Sequence, residues 1–405
     1  MLSRGGRIGR AVGLVSEPGP FSIGPMSPRL TSPAWYDVTW NPTVGCSPVG
    51  PGCDHCEALR TVAQLARMGG KGGARYAGLT TTGRARPEWS GEIHVRDDIL
   101  TWPLLQRRRR RILVGSLSDP FHEKLTTETV DAMHVVMTIA HWHRFIMLTR
   151  RAERMRAYYA DPRAPARIAT QIEHLATAVL PRLGSSSRGR GGSAGAGAEH
   201  PAAAGARRNR AAGAAQAVRQ EAGSEGGEAG PAALDPWPLP NISLGVAVES
   251  QDRAGRIGEL LQTPANLRWV CFEPLLGPVQ PDLVPVADGG YADALRGGRF
   301  DIDWRGRRLG SAEPMLRPLD WVVAGGETGA GARPTDLVWV QDLRDRCTAA
   351  GVPFFFKQWG EWASVPDGSV ARNVVRRGHR AAGRLIDGRS WDEIPTAMRE
   401  YRPRA

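Results

Sequence analysis

Residues 112–148 read ILVGSLSDPFHEKLTTETVDAMHVVMTIAHWHRFIML, and the alternation inside this stretch decides the fold class. Residues 112–117 are a short apolar run of strand length, residues 127–142 carry apolar side chains at helical spacing, and residues 145–148 are a second apolar run. A strand, a helix and a second strand make a βαβ unit, which joins parallel neighbours. Outward from it the same alternation continues. Apolar runs at 242–248, 267–272, 321–324 and 353–356 are interleaved with helical patterns at 252–261 and 336–350, and residues 92–95 offer a seventh strand. The expected fold is α/β, an incomplete (β/α) barrel of parallel strands.

Each run ends in polar residues: Ser118-Asp119, Thr149-Arg150, Glu249-Ser250, Glu273, Gly325-Gly326-Glu327 and Lys357-Gln358. Polar groups mark strand ends in any protein. In sheets and barrels of this class, however, the carboxyl rim is also where active sites are built, because the strands aim several side chains at one mouth. Glu249 and Glu273, each directly ending an apolar run, suit hydrogen bonding to a sugar or an amine; as a pair they would also suit acid and base catalysis of hydrolysis. Asp119, His122 and Glu123 suit ribose binding, proton relay or metal ligation, with helix capping by Asp119 as the structural alternative. Arg333 and Lys357 bring positive charge fit for a carboxylate or phosphate.

Residues 40–56, WNPTVGCSPVGPGCDHC, hold three of the five cysteines in a C-x6-C-x2-C spacing among Gly and Pro. Three thiolates with no fourth ligand close by suit a metal centre with an open position. The helical pattern of residues 56–68 starts directly behind them, so its positive end would favour a negatively charged centre. Zinc is the alternative, closed by His55, His94 or His122. Cys271 and Cys347 fall in a strand and a helix and read as buried packing residues.

The chain has 405 residues, 53 Lys and Arg against 41 Asp and Glu, a formal charge of +12, and 49 Gly. A net positive charge attracts nucleic acid. The run of five arginines at 107–111 precedes a strand and so belongs to the end of the sheet opposite the rim. No apolar run is long enough to span a membrane, and an odd cysteine count with three clustered argues against a disulfide framework, so a cytoplasmic, reducing setting is expected. Residues 1–33 read as a disordered leader, and 184–235, rich in Gly, Ala and Arg, as a low-complexity linker dispensable for chemistry. One barrel-like domain would comprise 34–183 and 236–362, followed by an Arg-rich extension at 363–405. The loop 278–318 follows a strand end and is expected to shape substrate access.

With Cys46, Cys53 and Cys56 before the first helix of a partial barrel, the chain resembles the radical SAM superfamily, though with a longer gap between its first two cysteines. A closer resemblance spans nearly the whole ordered chain. WNPTVGCSPVGPGCDHC, GSLSDPFHE, FIMLTRR, LGVAVESQ, CFEPLLGP, WVVAGGETGAGARP and FFFKQWGEW, in this order, look like a phage-associated family of gene products thirty-seven and sixty-eight, a domain of unknown function known by its three-cysteine motif. Glu57 stands where that family usually has Tyr. The resemblance implies a radical SAM-like protein in which Cys46, Cys53 and Cys56 hold a 4Fe-4S cluster. It implies that Gly325, Gly326, Glu327 and Lys357 bind S-adenosylmethionine, although the glycine pair would also serve a tight turn. Asp119, Glu249 and Glu273 are then the candidate catalytic residues. A three-Cys-motif partner protein is implied, and nucleotide or nucleic acid is the substrate class suggested by charge and phage association. The alternative is a zinc-stabilised nucleic-acid-binding module without catalysis of its own.

Overall fold

The computed structural model describes residues 35–82, 86–178, 234–312, 315–364 and 374–399; the 1–33 leader and residues 184–233 of the linker lie outside them. Seven strands, β1 (Val38–Trp40), β2 (Arg111–Val114), β3 (Arg144–Thr149), β4 (Ile242–Ala247), β5 (Leu267–Phe272), β6 (Trp321–Ala324) and β7 (Phe354–Phe356), pair in chain order, every pair parallel. Parallel neighbours in chain order require every crossover to return on the same side, which curls the sheet into a half-barrel with its helices outside.

Strand alternation divides the core in two. Outward residues, among them Ile112, Val114, Phe145, Met147, Leu244, Val270 and Phe272, merge with helices α2 (Thr127–Ile139), α3 (Ala152–Ala160), α5 (Gly255–Leu261) and α6 (Leu337–Ala350), and with the start of α4 (Ala164–Ala178), into one large apolar body. Inward residues Leu113, Ile146, Trp269, Cys271, Trp321, Val323 and Phe355 form a separate cluster that fills the barrel. Gly245 faces it from β4, where a methyl group would overlap the Trp269 indole. Trp35, just ahead of β1, packs into the same cluster with ring centroids 5.2 Å from Trp269 and 6.0 Å from Trp321, and Met398 joins it from the other end of the chain. The open side of the half-barrel is thus packed by residues flanking the sheet.

Two expectations are corrected. The seventh strand is β1, not residues 92–95: His94–Val95 pairs antiparallel with Thr43–Val44 beside the sheet. Residues 278–318 are not an access loop over the rim. They contain a small antiparallel sheet, Val284–Pro285, Tyr291–Ala292, Arg299–Ile302 and Arg308–Ala312, which packs on α5 at Gly258, while Asp282 and Leu283 just ahead of it bond to Arg346 of α6 and to Gln251. None of these residues lines the cavity described below. Among the described residues no helix is long and apolar enough to cross a membrane.

Residues 374–399 cover the edge of β7. Phe356 N donates to Trp391 O at 2.9 Å, Phe354 N to a Glu393 carboxylate oxygen at 2.9 Å, and Glu393 N to Phe354 O at 3.2 Å. An otherwise unpaired parallel edge is closed in this way.

Candidate functional site

The cysteine loop leaves β1 and crosses the carboxyl rim. Its start is tied to the turn after β2, where Asn41 Oδ1 accepts from Leu117 N at 3.0 Å and Ser116 Oγ at 3.1 Å, and the Thr43 and Ser118 hydroxyls meet at 2.7 Å. Pro51–Cys53 forms a single 3-10 turn, and Cys56 stands at the N-cap of α1 (Glu57–Arg67). The free, half-buried thiols of Cys46, Cys53 and Cys56 all line one cavity of about 1070 Å³ at the carboxyl ends of the strands.

Three strand-end carboxylates hold this loop, Asp119 and Glu327 through an arginine and Glu249 directly. Asp119, after β2, accepts from Phe121 N (2.9 Å), Thr149 Oγ1 (2.6 Å), Arg150 N (3.0 Å) and Arg151 Nη1 (3.1 Å). The same Arg151 donates to Ser47 O at 3.2 Å and Ser47 Oγ at 2.9 Å, and its Nη1 lies 3.9 Å from Cys46 Sγ. Glu249, after β4, is fully buried; it receives Arg150 Nη1 at 2.6 Å, Arg256 Nη1 at 2.9 Å and the loop's own Gly52 N at 3.3 Å. Glu327, after β6, receives Arg333 through N, Nε and Nη2 at 2.6–2.9 Å, and Arg333 reaches on to Pro51 O at 2.8 Å and Asp54 at 3.1 Å. Charge-assisted bonds of this kind are short and directional, so the loop is fixed between its cysteines as well as at its ends.

Glu273 differs from these acids in facing the cavity without touching the loop. Lys357 Nζ donates to its Oε2 and Gln358 Nε2 to its Oε1 at 3.2 Å, and Lys357 Nζ lies 5.6 Å from the centre of the Trp35 ring. Burial works against the Lys357 charge, but Glu273 outweighs it and holds the ammonium above its ordinary pKa. Gly326 lines the cavity where the β6 and β7 ends converge; a methyl group there would overlap Trp359 O, so this position requires glycine. Gly325 lies beside Glu273 but does not line the cavity, and neither does Glu249.

Burial, with Asp119 next to it, pushes the Cys46 thiol up to about 12 against the pull of Arg151. Burial also raises Cys56, opposed by the amide groups of Leu59 and Ala58 in the first turn of α1. A bound metal reverses such shifts, because its charge displaces the thiol protons. Among the described residues no group of three His, Cys, Asp or Glu side chains converges closely enough for one metal ion. A cuboidal cluster has a different requirement, because it spreads its ligands over separate corners; the three thiols share one cavity wall. Of the histidines considered for zinc, His122 and His94 have hydrogen-bond partners and His55 lines the cavity beside the cysteines. His122 Nε2 lies 2.8 Å from Ser47 Oγ while Nδ1 accepts from Lys124 N at 3.2 Å, His94 Nδ1 meets Arg75 O at 3.2 Å, and His55 packs over Gly331. The His122 contacts make Nε2 the protonated nitrogen, so this imidazole has no lone pair free to activate Ser47.

Of the residues expected from sequence, Cys46, Cys53, Cys56, Asp119, Glu273, Gly326, Glu327 and Lys357 share the cavity wall, with Glu249 and Gly325 one layer behind. What sequence reasoning missed is the role of Arg150, Arg151 and Arg256. Two arginines directly after an apolar run whose neighbours end in acids were the available signal. The fold and site define an α/β half-barrel with a three-cysteine loop strapped over its carboxyl rim. A family model described as "Protein of unknown function (DUF5131)" matches residues 31–395, and the chain belongs to that family. No curated protein and no solved structure matches it.

Proposed function

We propose that the chain is a radical SAM-like iron–sulfur enzyme of the phage-associated three-cysteine type, acting in the cytoplasm on a nucleotide or nucleic acid that it modifies or repairs. The observation that carries this reading is the sharing of one cavity by three cysteine thiols and the Glu273–Lys357 pair. Cys46, Cys53 and Cys56 would hold three corners of a 4Fe-4S cluster. When bound, that group would supply one-electron reduction of S-adenosylmethionine. The chain's own part is to bind and orient. Lys357 and Glu273 present opposite charges suited to the carboxylate and amino group of the cofactor, and Gly326 allows close backbone approach. Asp119, Glu249 and Glu327 keep the cysteine loop in place. The three-Cys-motif partner protein suggested by the resemblance would act with it.

The test is anaerobic purification, reconstitution with iron and sulfide, and assay of bound iron and of deoxyadenosine formed on reduction with S-adenosylmethionine. About four irons per chain are expected, with deoxyadenosine formed, and both are expected to fall away in Cys53→Ala. A stoichiometric zinc that survives in air, with no brown chromophore and no deoxyadenosine, replaces this reading with a zinc-stabilised nucleic-acid-binding module.

A further inference from the structure

Most arginines around the cavity are neutralised: Arg150 by Glu249, Arg151 by Asp119 and Glu123, Arg333 by Glu327 and Asp54, and Arg384 by Asp392. One segment departs from this pattern. Residues 376–380 read Arg-Arg-Gly-His-Arg, and all four basic side chains are exposed. His379 and Arg380 line the cavity, while Arg376 and Arg377 directly precede them at the end of a hairpin formed by Trp362–Ser364 and Val374–Arg376. Among the described residues none of the four forms an ion pair; the one side-chain contact is from Arg376 Nη2 to Gly329 O at 3.2 Å.

The segment is nonetheless held in a defined place. Arg377 N and Gly378 N both donate to Glu361 O, at 3.0 and 3.1 Å, and Trp359 N donates to Gly383 O at 3.1 Å. The acids facing it are Glu361, which accepts from Gly329 N at 2.8 Å, and Glu57, which lies 3.4 Å from Thr328 Oγ1. Both line the cavity, as does Arg60, so the lip keeps an excess of positive charge. Guanidinium groups left without carboxylates at the mouth of a cavity match the geometry and charge of phosphate.

We propose that residues 376–380 form a phosphate-binding lip that seats the phosphate of the substrate at the cavity mouth, Arg376, Arg377 and Arg380 making the contacts. This inference rests on the nucleotide or nucleic-acid reading of the substrate. Phosphate of a free nucleotide and phosphodiester of a strand share the chemistry, and the probes separate them: a fluorescein-labelled single-stranded DNA oligonucleotide, its RNA equivalent, and a nucleoside monophosphate as competitor.

Binding of the full chain is measured by anisotropy over a salt series, as purified and after reconstitution. Replacing Arg376, Arg377 and Arg380 together by Ala is expected to weaken binding at least tenfold and to lower the slope of log affinity against log salt by roughly 2. Replacing the same three by Lys keeps the charge but not the guanidinium fork, and is expected to keep the parent's salt slope with an affinity between those of the parent and the Ala variant, which separates lost contacts from lost folding. Arg107, Arg108 and Arg109, exposed at the opposite end of β2, serve as the control; their replacement by Ala is expected to leave binding unchanged. Competition by the monophosphate assigns the lip to a nucleotide, and its failure against a bound strand assigns it to nucleic acid. Unchanged binding in the triple Ala variant, loss in the control variant, or no binding of any probe overturns the proposal. Deoxyadenosine formation without lip-dependent binding removes the lip alone, and lip-dependent binding without deoxyadenosine removes the enzyme reading alone.

Discussion

At the scale of single residues, the rim acids do different work according to what meets them. Glu249 cannot serve as a free acid or base, because two guanidinium groups and an amide already occupy its oxygens in a fully buried position. Its charge instead compensates Arg150 and Arg256, whose side chains are 17% and 12% exposed. Glu249→Gln keeps the size and one acceptor but leaves two poorly solvated cations without a counter-charge, and is expected to destabilise the fold by about 3–5 kcal/mol in urea unfolding. The matching change at Glu123, whose side chain is 60% exposed in its pair with Arg151, is expected to cost about 1 kcal/mol or less. Equal costs at the two positions would show that burial is not what makes Glu249 matter.

At the scale of elements, the half-barrel has an edge to protect at β7, and residues 386–399 protect it. The Phe355–Asp392 bridge, the Trp391 and Glu393 bonds to β7, and the Trp321 Nε1 bond to Glu393 O at 2.8 Å bind this segment to the last two strands. Met398 then packs among the inward tryptophans. Removing residues 391–405 would leave a short apolar strand unpaired and take away the partner of the Trp321 indole, a surface prone to pairing with another chain. The truncated protein is expected to melt lower and to elute as self-associated species in size-exclusion chromatography. A monomer with unchanged melting would show that the segment does not protect this edge.

At the scale of the whole molecule, the cysteine loop and the start of β4 lie at opposite ends of the sheet. The cysteine loop and the ends of β2 to β7 meet at the carboxyl rim, while α4 ends at Ala178 and the described chain resumes at Leu234 ahead of the amino end of β4. Leu234, where the described chain resumes, is buried in the outer core, so the anchor of this connection is already structural. Deletion of residues 186–233 is therefore expected to leave the melting temperature within a few degrees and iron binding unchanged. Loss of iron binding in a folded deletion variant would mean that the connection reaches the rim.

The strand and helix alternation, and with it the half-barrel, was legible in residues 112–148 and their repeats, because parallel strands buried on both faces are continuous apolar runs bounded by polar ends. The cysteine loop was equally legible, since its spacing is local. β1 was not, because three residues carry too little pattern, and the antiparallel strands within 284–312, of two to five residues, were missed for the same reason. What only the tertiary structure decided is the use of the rim. Gly52 and Glu249 are 197 positions apart, and Pro51 and Arg333 are 282 apart. Parallel strand register alone brings such groups within bonding distance. It turns Asp119, Glu249 and Glu327 into anchors of the cysteine loop and leaves Glu273 and Lys357 facing the cavity.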